Sequence, residues 1–498
     1  MLTRLKVSGF KNLVDVDVRF GPFTCIGGAN GTGKSNLFDA IRFLSALADD
    51  NMFIEAAQYV RDENGRSSDI HGIFRRGPSA DNRMTFEAEM IVPPSETDDL
   101  GQPAEASFTF LRYRLTLAYH KNSKFDSRGP IELIEEELVH IRKGDAPQHL
   151  LFDHSAKHWR NSVIIGKRNT PFISTDLKEQ VIKLHQDGGS SGRPTRRSAS
   201  SFPKTLVSTA NAIESPTALM ARREMQSWKL LQLEPSALRQ PSRFNDPVQM
   251  GTDGTHMAAT LYRLAYSTDD PEQIFAQVSN RLSDLLDNVK HVWVERDETR
   301  EVYTLYLTQT DGTTHPARDL SDGTLRFLAL TILEMDPTAS GLICLEEPEN
   351  GIDPRRLPNM LELLQDIAVD THDIVDDSNP MRQVIINTHS PQVVQQVADD
   401  EILVAELRET MKNSERVQGV QFGALPHETD PTTGKVMRPN WRLKADPAFI
   451  VPKGRLIAYL NPVQAATTNG NSEREPRLID RKDMQQLLQM TLPFGDEP

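Results

Sequence analysis

The residues best equipped for chemistry form one short run near the start, Gly28-Ala29-Asn30-Gly31-Thr32-Gly33-Lys34-Ser35, followed by Asn36. The run fits the pattern G-x-x-x-x-G-K-[ST], in which small residues let successive backbone N–H groups approach phosphate oxygens. Lys34 has the reach for the β- and γ-phosphates of a nucleoside triphosphate, and a hydroxyl such as that of Ser35 can ligate Mg²⁺ there. Such a cradle needs a strand before it and a helix behind it, because the helix N-terminus adds partial positive charge at the phosphates. Both are legible. Residues 23–26 form a short apolar run, and Leu37, Ile41, Leu44 and Leu47 recur at helical spacing.

A second constellation lies far along the chain. Leu320-Ser321-Asp322-Gly323-Thr324 opens a helix carrying Leu325, Phe327, Leu328, Leu330, Ile332 and Leu333, stopped by Asp336-Pro337. A strand at 342–345 ends in Glu346-Glu347-Pro348-Glu349, and a helix carrying Leu357, Met360, Leu361, Leu364 and Ile367 follows. A strand at 383–387 then delivers Thr388-His389-Ser390-Pro391. In an open α/β sheet ligands gather at the C-terminal ends of strands, so the acidic pair and His389 are expected to face the phosphates.

This order of motifs resembles the ATP-binding-cassette ATPases, and in detail their SMC, RecF and OLD (overcoming lysogenization defect) branch rather than transporter subunits. The likeness rests on Ser321-Asp322-Gly323-Thr324-Leu325-Arg326, Glu346-Glu347-Pro348-Glu349-Asn350-Gly351, Asn387-Thr388-His389-Ser390-Pro391 and the opening Gly9-Phe10-Lys11-Asn12-Leu13. Weaker likeness at 228–241 and 253–264 extends it over most of residues 1–406. The resemblance implies an α/β fold: an ABC-type P-loop core with an antiparallel β subdomain, ATP and Mg²⁺ as ligands, and a homodimer or higher assembly. It assigns Glu346 to the Mg²⁺ shell, Glu347 to the attacking water, and His389 to the γ-phosphate. Gly351-Ile352-Asp353 falls at the dimer-contact loop, and Ser321 and Gly323 would touch ATP held by another subunit. Two positions depart from transporter-type patterns: Asp322 replaces a second glycine, and Glu346 replaces an aspartate. The OLD branch accommodates both. Gln58, Gln102 and Gln148 all remain candidates for the family's Q-loop glutamine.

Composition narrows the setting. The 498 residues are 38% hydrophobic and 25% charged, with a formal charge of -14, so a general basic coat for nucleic acid is absent. No apolar run reaches the roughly 18 residues that cross a bilayer, and residues 1–7 lack a signal-peptide pattern. Cys25 and Cys344 are the only cysteines, both in apolar surroundings, and no disulfide is expected. The reading is cytoplasmic, with no membrane partner.

The expected organisation has four parts: an N-terminal ATPase lobe at 1–154, a mainly helical insertion at 155–290, a C-terminal ATPase lobe at 291–406 and an extension at 407–498. Residues 82–92 and 108–119 alternate as strands, and 292–295 with 302–308 form a hairpin leading to Asp311-Gly312. The insertion holds a polar linker near 186–203, with Arg193, Arg196, Arg197 and Lys204 as a small basic cluster. No sustained heptad pattern supports a long coiled coil. His154 and His158 read as a surface pair, without the further ligands zinc needs. The extension shows no Toprim-like acidic set, so a nuclease effector is expected on a separate chain, with 407–498 as its dock or a peripheral addition. Four functions follow: an anti-phage defence switch, a RecF-like DNA-repair clamp, a transporter subunit, or a nucleotide-gated scaffold.

Overall fold

The computed structural model describes residues 1–60, 70–75, 82–120, 130–166, 170–187, 194–198, 202–412, 415–429, 435–452, 454–455 and 459. Residues 1–453 form one compact unit and 454–498 another.

The strand that leads into the phosphate loop, Phe23–Gly27, lies inside a six-stranded sheet. Its order is Lys229–Leu231, Gly341–Glu346, Arg382–Thr388, Phe23–Gly27, Ile402–Lys412, Glu415–Ala424. The first five strands run parallel and the last pair is antiparallel. Parallel strands covered on both faces read as near-continuous apolar runs, and Phe23–Gly27 and Arg382–Thr388 are buried along their whole length, with the polar residues of the second confined to its two ends. Register then aligns the strand ends that matter. Gly27 stands opposite Thr388, and Glu346 stands opposite Asn387. The helix Leu357–Ile367 packs on the Arg382–Thr388 strand through the apolar face read from sequence, and the helix Asp322–Met335 packs against it in turn.

A second sheet of eight antiparallel strands covers the other side of the phosphate-loop helix, Lys34–Ala48. It contains Arg83–Ile91 and Phe110–Tyr119, matching the alternation at 82–92 and 108–119. One row across five strands reads Asp17, Lys6, Glu87, Arg114, Glu137, so opposite charges face each other at every step. On the buried side Phe43 of the helix packs between Phe10 and Phe86, with ring centroids 5.8 Å from each. Such contacts lock the helix to the sheet, and deleting one ring would cost about 3–5 kcal/mol. The fold is thus mixed α/β with large sheets, and no long coiled coil occurs among the described residues. The expected hairpin is present as Val289–Asp297 and Val302–Gln309, with Thr314–Pro316 pairing back after Gly312, whose φ is 87°.

Strands appear where the sequence reading marked none. Residues 155–290 do hold the helices Trp159–Val163, Pro216–Gln226, Met257–Tyr266 and Pro271–Leu285. They also hold the strands Ile173–Asp176, Val181–Leu184 and Thr195–Ser198, which extend the antiparallel sheet. Four-residue strands show too little alternation to be read singly. Much of the polar linker near 186–203, Arg193 included, lies outside the described residues. Arg196 pairs with Glu179 and Lys204 with Asp50, so neither side chain stands alone.

The boundary at 406 also fails, because it cuts Ile402–Lys412, a strand paired directly with the phosphate-loop strand. Leu403, Ala405, Val417, Val420, Phe422 and Ala424 are buried in this part of the core. Exposed charges such as Glu409 and Arg416 between them mask the pattern in sequence. Beyond the sheet, Arg442 is 2% exposed and donates to Asp400 O at 2.8 Å, Arg19 O at 2.7 Å and Thr24 Oγ1 at 3.2 Å. Burial pushes its pKa down to about 9, against the pull of Asp400 and Glu401. Part of the expected extension is therefore core. The apolar residues near 456–460 fall almost wholly outside the described residues.

Candidate functional site

The phosphate loop is shaped by what presses on it from below. Gly33 is left-handed at φ 98°, and a Cβ there would fall 2.2 Å from Asn12 Nδ2. A Cβ at Gly28 would fall 2.6 Å from Ala405 O, so both positions exclude a side chain. Asn12 braces the loop. Its Nδ2 donates to Thr32 O at 3.4 Å, and its Oδ1 accepts from Asn36 Nδ2 at 2.8 Å. Its neighbour Lys11 pairs with Asp39 of the helix at 2.6 Å. Thr32 Oγ1 closes the loop by donating to Ala29 O at 3.0 Å.

Lys34 begins the helix and folds back on the loop, with Nζ 2.7 Å from Gly28 O and 2.9 Å from Ala29 O. Burial lowers its pKa, while the carboxylates of Glu347, Glu349 and Glu346 oppose that shift. Above the loop lies a cleft of about 510 Å³. Asn12, Asn30, Gly31, Gly33, Lys34, Ser35 and Asn36 form one wall; Glu346, Glu347, Asn350 and Asn387 form the other.

The acidic wall is held by amides. Asn387 Nδ2 donates to Glu346 Oε1 at 3.2 Å, and Asn387 O accepts from Glu347 N at 2.9 Å. Glu347 has φ 46°, a left-handed conformation that costs a non-glycine residue about 1–2 kcal/mol. Both its carboxylate oxygens are engaged: Oε1 lies 2.7 Å from His389 Nδ1, and Oε2 accepts from Asn350 Nδ2 at 2.8 Å. Thr388 Oγ1 accepts from Ser390 N at 2.9 Å and donates to Glu349 Oε1. Burial pushes the Glu349 carboxyl above its ordinary value, and its Oε2 is buried without a partner.

The structure thus gathers Lys34, Ser35, Glu346, Glu347 and His389, with His389 reaching the cleft wall through Glu347. A cation and a helix N-terminus face two carboxylates across a polar cleft, a donor set that fits a triphosphate with its Mg²⁺. Ser35 and Glu346, which line the same cleft, are the side chains suited to the metal. Ser321 and Gly323 are elsewhere. Ser321 caps the helix Asp322–Met335, its Oγ accepting from Thr324 N at 3.2 Å, and it lines a separate cleft of about 280 Å³. Gln58, Gln102 and Gln148 do not line the 510 Å³ cleft. His154 bonds to Phe152 O at 2.8 Å, and His158 precedes the short helix Trp159–Val163. Cys25 and Cys344 are free and buried. Sequence reading missed the bracing roles of Asn12, Asn350 and Asn387. Each lies inside a motif run, but an amide's role depends on which neighbour it meets.

Known proteins share parts of this arrangement. The sequence model of a family described as "AAA domain" matches residues 4–86. Another, described as "AAA domain, putative AbiEii toxin, Type IV TA system", matches residues 177–395. The matches cover both the phosphate loop and the acidic strand end, so the chain is similar to AAA-type ATPase domains at both. Among curated relatives, "Chromosome partition protein Smc" of Bordetella petrii is 34% identical over 117 residues, which is 23% of this chain and 9% of that protein. The chain spans less than a tenth of that relative's length. Among solved structures, an SMC head bound to the C-winged helix domain of ScpA shows 12% identity and a TM-score of 0.42, covering 85% of this chain and 97% of that one. The SMC head domain from Thermotoga maritima shows 11% identity and a TM-score of 0.35, covering 84% and 97%. No helix among the described residues is long and apolar enough to cross a membrane.

Proposed function

We propose that the chain binds and hydrolyses ATP and works as a dimeric, nucleotide-driven switch of the OLD/RecF-like branch of ATP-binding-cassette ATPases. The observation that carries this is the convergence of Lys34, Ser35, Glu346 and Glu347 on one cleft, with His389 bonded to Glu347. On nucleotide binding Lys34 exchanges the carbonyls of Gly28 and Ala29 for phosphate oxygens, a stronger charge-assisted partner. Ser35 and Glu346 would hold Mg²⁺, which would supply charge neutralisation at the phosphates. Glu347 orients or deprotonates the attacking water, and His389 fixes that carboxylate and meets the γ-phosphate. Hydrolysis of this kind is mainly positioning and charge neutralisation, which suits a site built from braced side chains. Ser321 and Gly323, which do not line their own cleft, complete the site of a second copy.

For the biological role, we read the chain as the sensor or regulator of a separate effector, such as a nuclease, in anti-phage defence. The matched description, "AAA domain, putative AbiEii toxin, Type IV TA system", supports a place in a system of more than one component. Purification with the products of neighbouring genes, with and without ATP, tests it. An ATP-dependent partner is expected, and a chain that binds none of them in either state contradicts the role. The stretch similar to a chromosome partition protein favours a second reading, a RecF-like clamp on DNA. That reading requires DNA binding in the ATP state which weakens steeply with salt.

A further inference from the structure

Hydrogen bonds join the helix that begins at Ser321 to the carboxylate of Glu347 through a single residue, Asn350. Arg326, in the second turn of Asp322–Met335, donates from Nη1 to Asn350 O. Asn350 in turn donates from Nδ2 to Glu347 Oε2 at 2.8 Å and from its backbone N–H to Glu347 O at 3.0 Å. The turn between them has little slack. Glu347 is left-handed with its N–H tied to Asn387 O, and a Cβ on Gly323 would sit 3.2 Å from Gly351 O. The helix therefore touches the acidic turn at two places, its first turn and Arg326. Arg326 Nε is buried with no partner, and a buried unpaired donor carries a desolvation penalty.

We infer that Arg326 and Asn350 are positioning residues that couple the Ser321 helix to the aim of the Glu347 carboxylate within one chain. This rests on the proposed roles of Glu347 and Ser321. When Ser321 meets nucleotide on a second copy, the helix shifts, Arg326 carries Asn350 O with it, and Asn350 Nδ2 re-aims Glu347. Docking on the partner's site is thereby reported to the chain's own site, and hydrolysis follows association rather than ATP binding alone. A bland structural role for Arg326, simply pinning a surface turn, predicts no energetic link between Arg326 and the Asn350 amide.

The test is a double-mutant cycle on the full chain: Arg326→Ala, Asn350→Ala and both together, with Arg326→Lys as the conservative variant. Steady-state kcat and KM are measured beside the Kd for a fluorescent ATP analogue and the thermal midpoint. Each single change is expected to lower kcat about tenfold, the scale of one lost hydrogen bond, with Kd held within about twofold. Acting in series, the pair should lose no more than the worse single change. Arg326→Lys should recover part of kcat, because an ammonium can still donate to Asn350 O. Losses that multiply to about a hundredfold, or single variants with unchanged kcat, overturn the coupling. If Arg326→Ala does not fold, the cycle is run with Arg326→Met, which keeps the apolar stem and removes the donor, and Asn350→Ala under the same criteria. A wild-type chain without turnover, or a Glu347→Gln variant that turns over normally, defeats the catalytic reading itself. An inactive Glu347→Gln beside unaffected Arg326 and Asn350 variants defeats the coupling alone.

Discussion

Replacing Glu347 by Gln separates binding from chemistry. The amide has the carboxylate's shape, and the hydrogen bonds at the site can be rebuilt around it. Its oxygen can accept from Asn350 Nδ2, where 2.8 Å separates the present pair, and its NH₂ can donate to His389 Nδ1 in the tautomer that accepts there. The fold should therefore change by less than about 1 kcal/mol. What disappears is the negative charge that orients or deprotonates water, a contribution of about 10²–10⁴ in rate, or roughly 3–5 kcal/mol of barrier. Nucleotide affinity should hold or tighten, since a carboxylate facing the phosphates has been neutralised. Single-turnover hydrolysis and equilibrium binding of a fluorescent ATP analogue give the two quantities independently. Turnover within about threefold of wild type would remove Glu347 from its proposed role, because a general base is worth far more than that.

Other perturbations probe the frame. Lys34→Ala leaves two loop carbonyls without their ammonium and the phosphates without a cation; binding of ATP should fall below detection in calorimetry, and unchanged affinity would contradict the cradle. Glu136 is fully buried and accepts from Leu206 N at 2.6 Å, Val207 N at 2.8 Å and Tyr113 Oη at 3.1 Å, yet burial pushes its pKa up to about 7. A carboxyl raised on folding contributes stability that is full below its unfolded value near 4.5 and is lost as pH rises through about 7, here roughly 3 kcal/mol. Urea unfolding at pH 5 and pH 8 should show that loss in wild type and not in Glu136→Gln; equal pH dependence in both would refute it. Arg442→Ala strands the carbonyls of Asp400 and Arg19, so unfolding free energy should drop by about 2–4 kcal/mol, and a change under about 0.5 would refute its anchoring role.

The local parts of the site were legible because local rules set them. The glycine spacing, the apolar face of Lys34–Ala48 and the Ser321 cap all follow from backbone sterics and helix periodicity. The adjacency of Glu347 and His389 was legible one step further out, since both follow the ends of neighbouring strands in a parallel sheet. Long-range partnerships were not. Nothing local marks Asn387 as the brace of Glu346, or Ile402–Lys412 as the neighbour of Phe23–Gly27, because strand order is set by packing across the whole core. The short strands Ile173–Asp176 and Val181–Leu184 escaped for a related reason: a four-residue strand borrows its stability from the sheet it joins. The strain at Glu347 was also invisible, since glutamate carries no preference for φ 46° and adopts it only because Asn387 and Asn350 hold the turn.

The central claim, that each ATP is enclosed by the phosphate loop of one copy and the Ser321 turn of another, meets its most direct test in a mixing measurement. Lys34→Ala and Ser321→Arg chains are each expected to be inactive alone. Mixed in equal amounts, random pairing restores one intact composite site to half of the dimers, so the ATP enclosed between copies, read as slowly exchanging nucleotide, should return to about a quarter of the wild-type amount. A mixture that binds ATP yet encloses none of it between copies would contradict the account, as would a Ser321→Arg chain that hydrolyses ATP normally by itself.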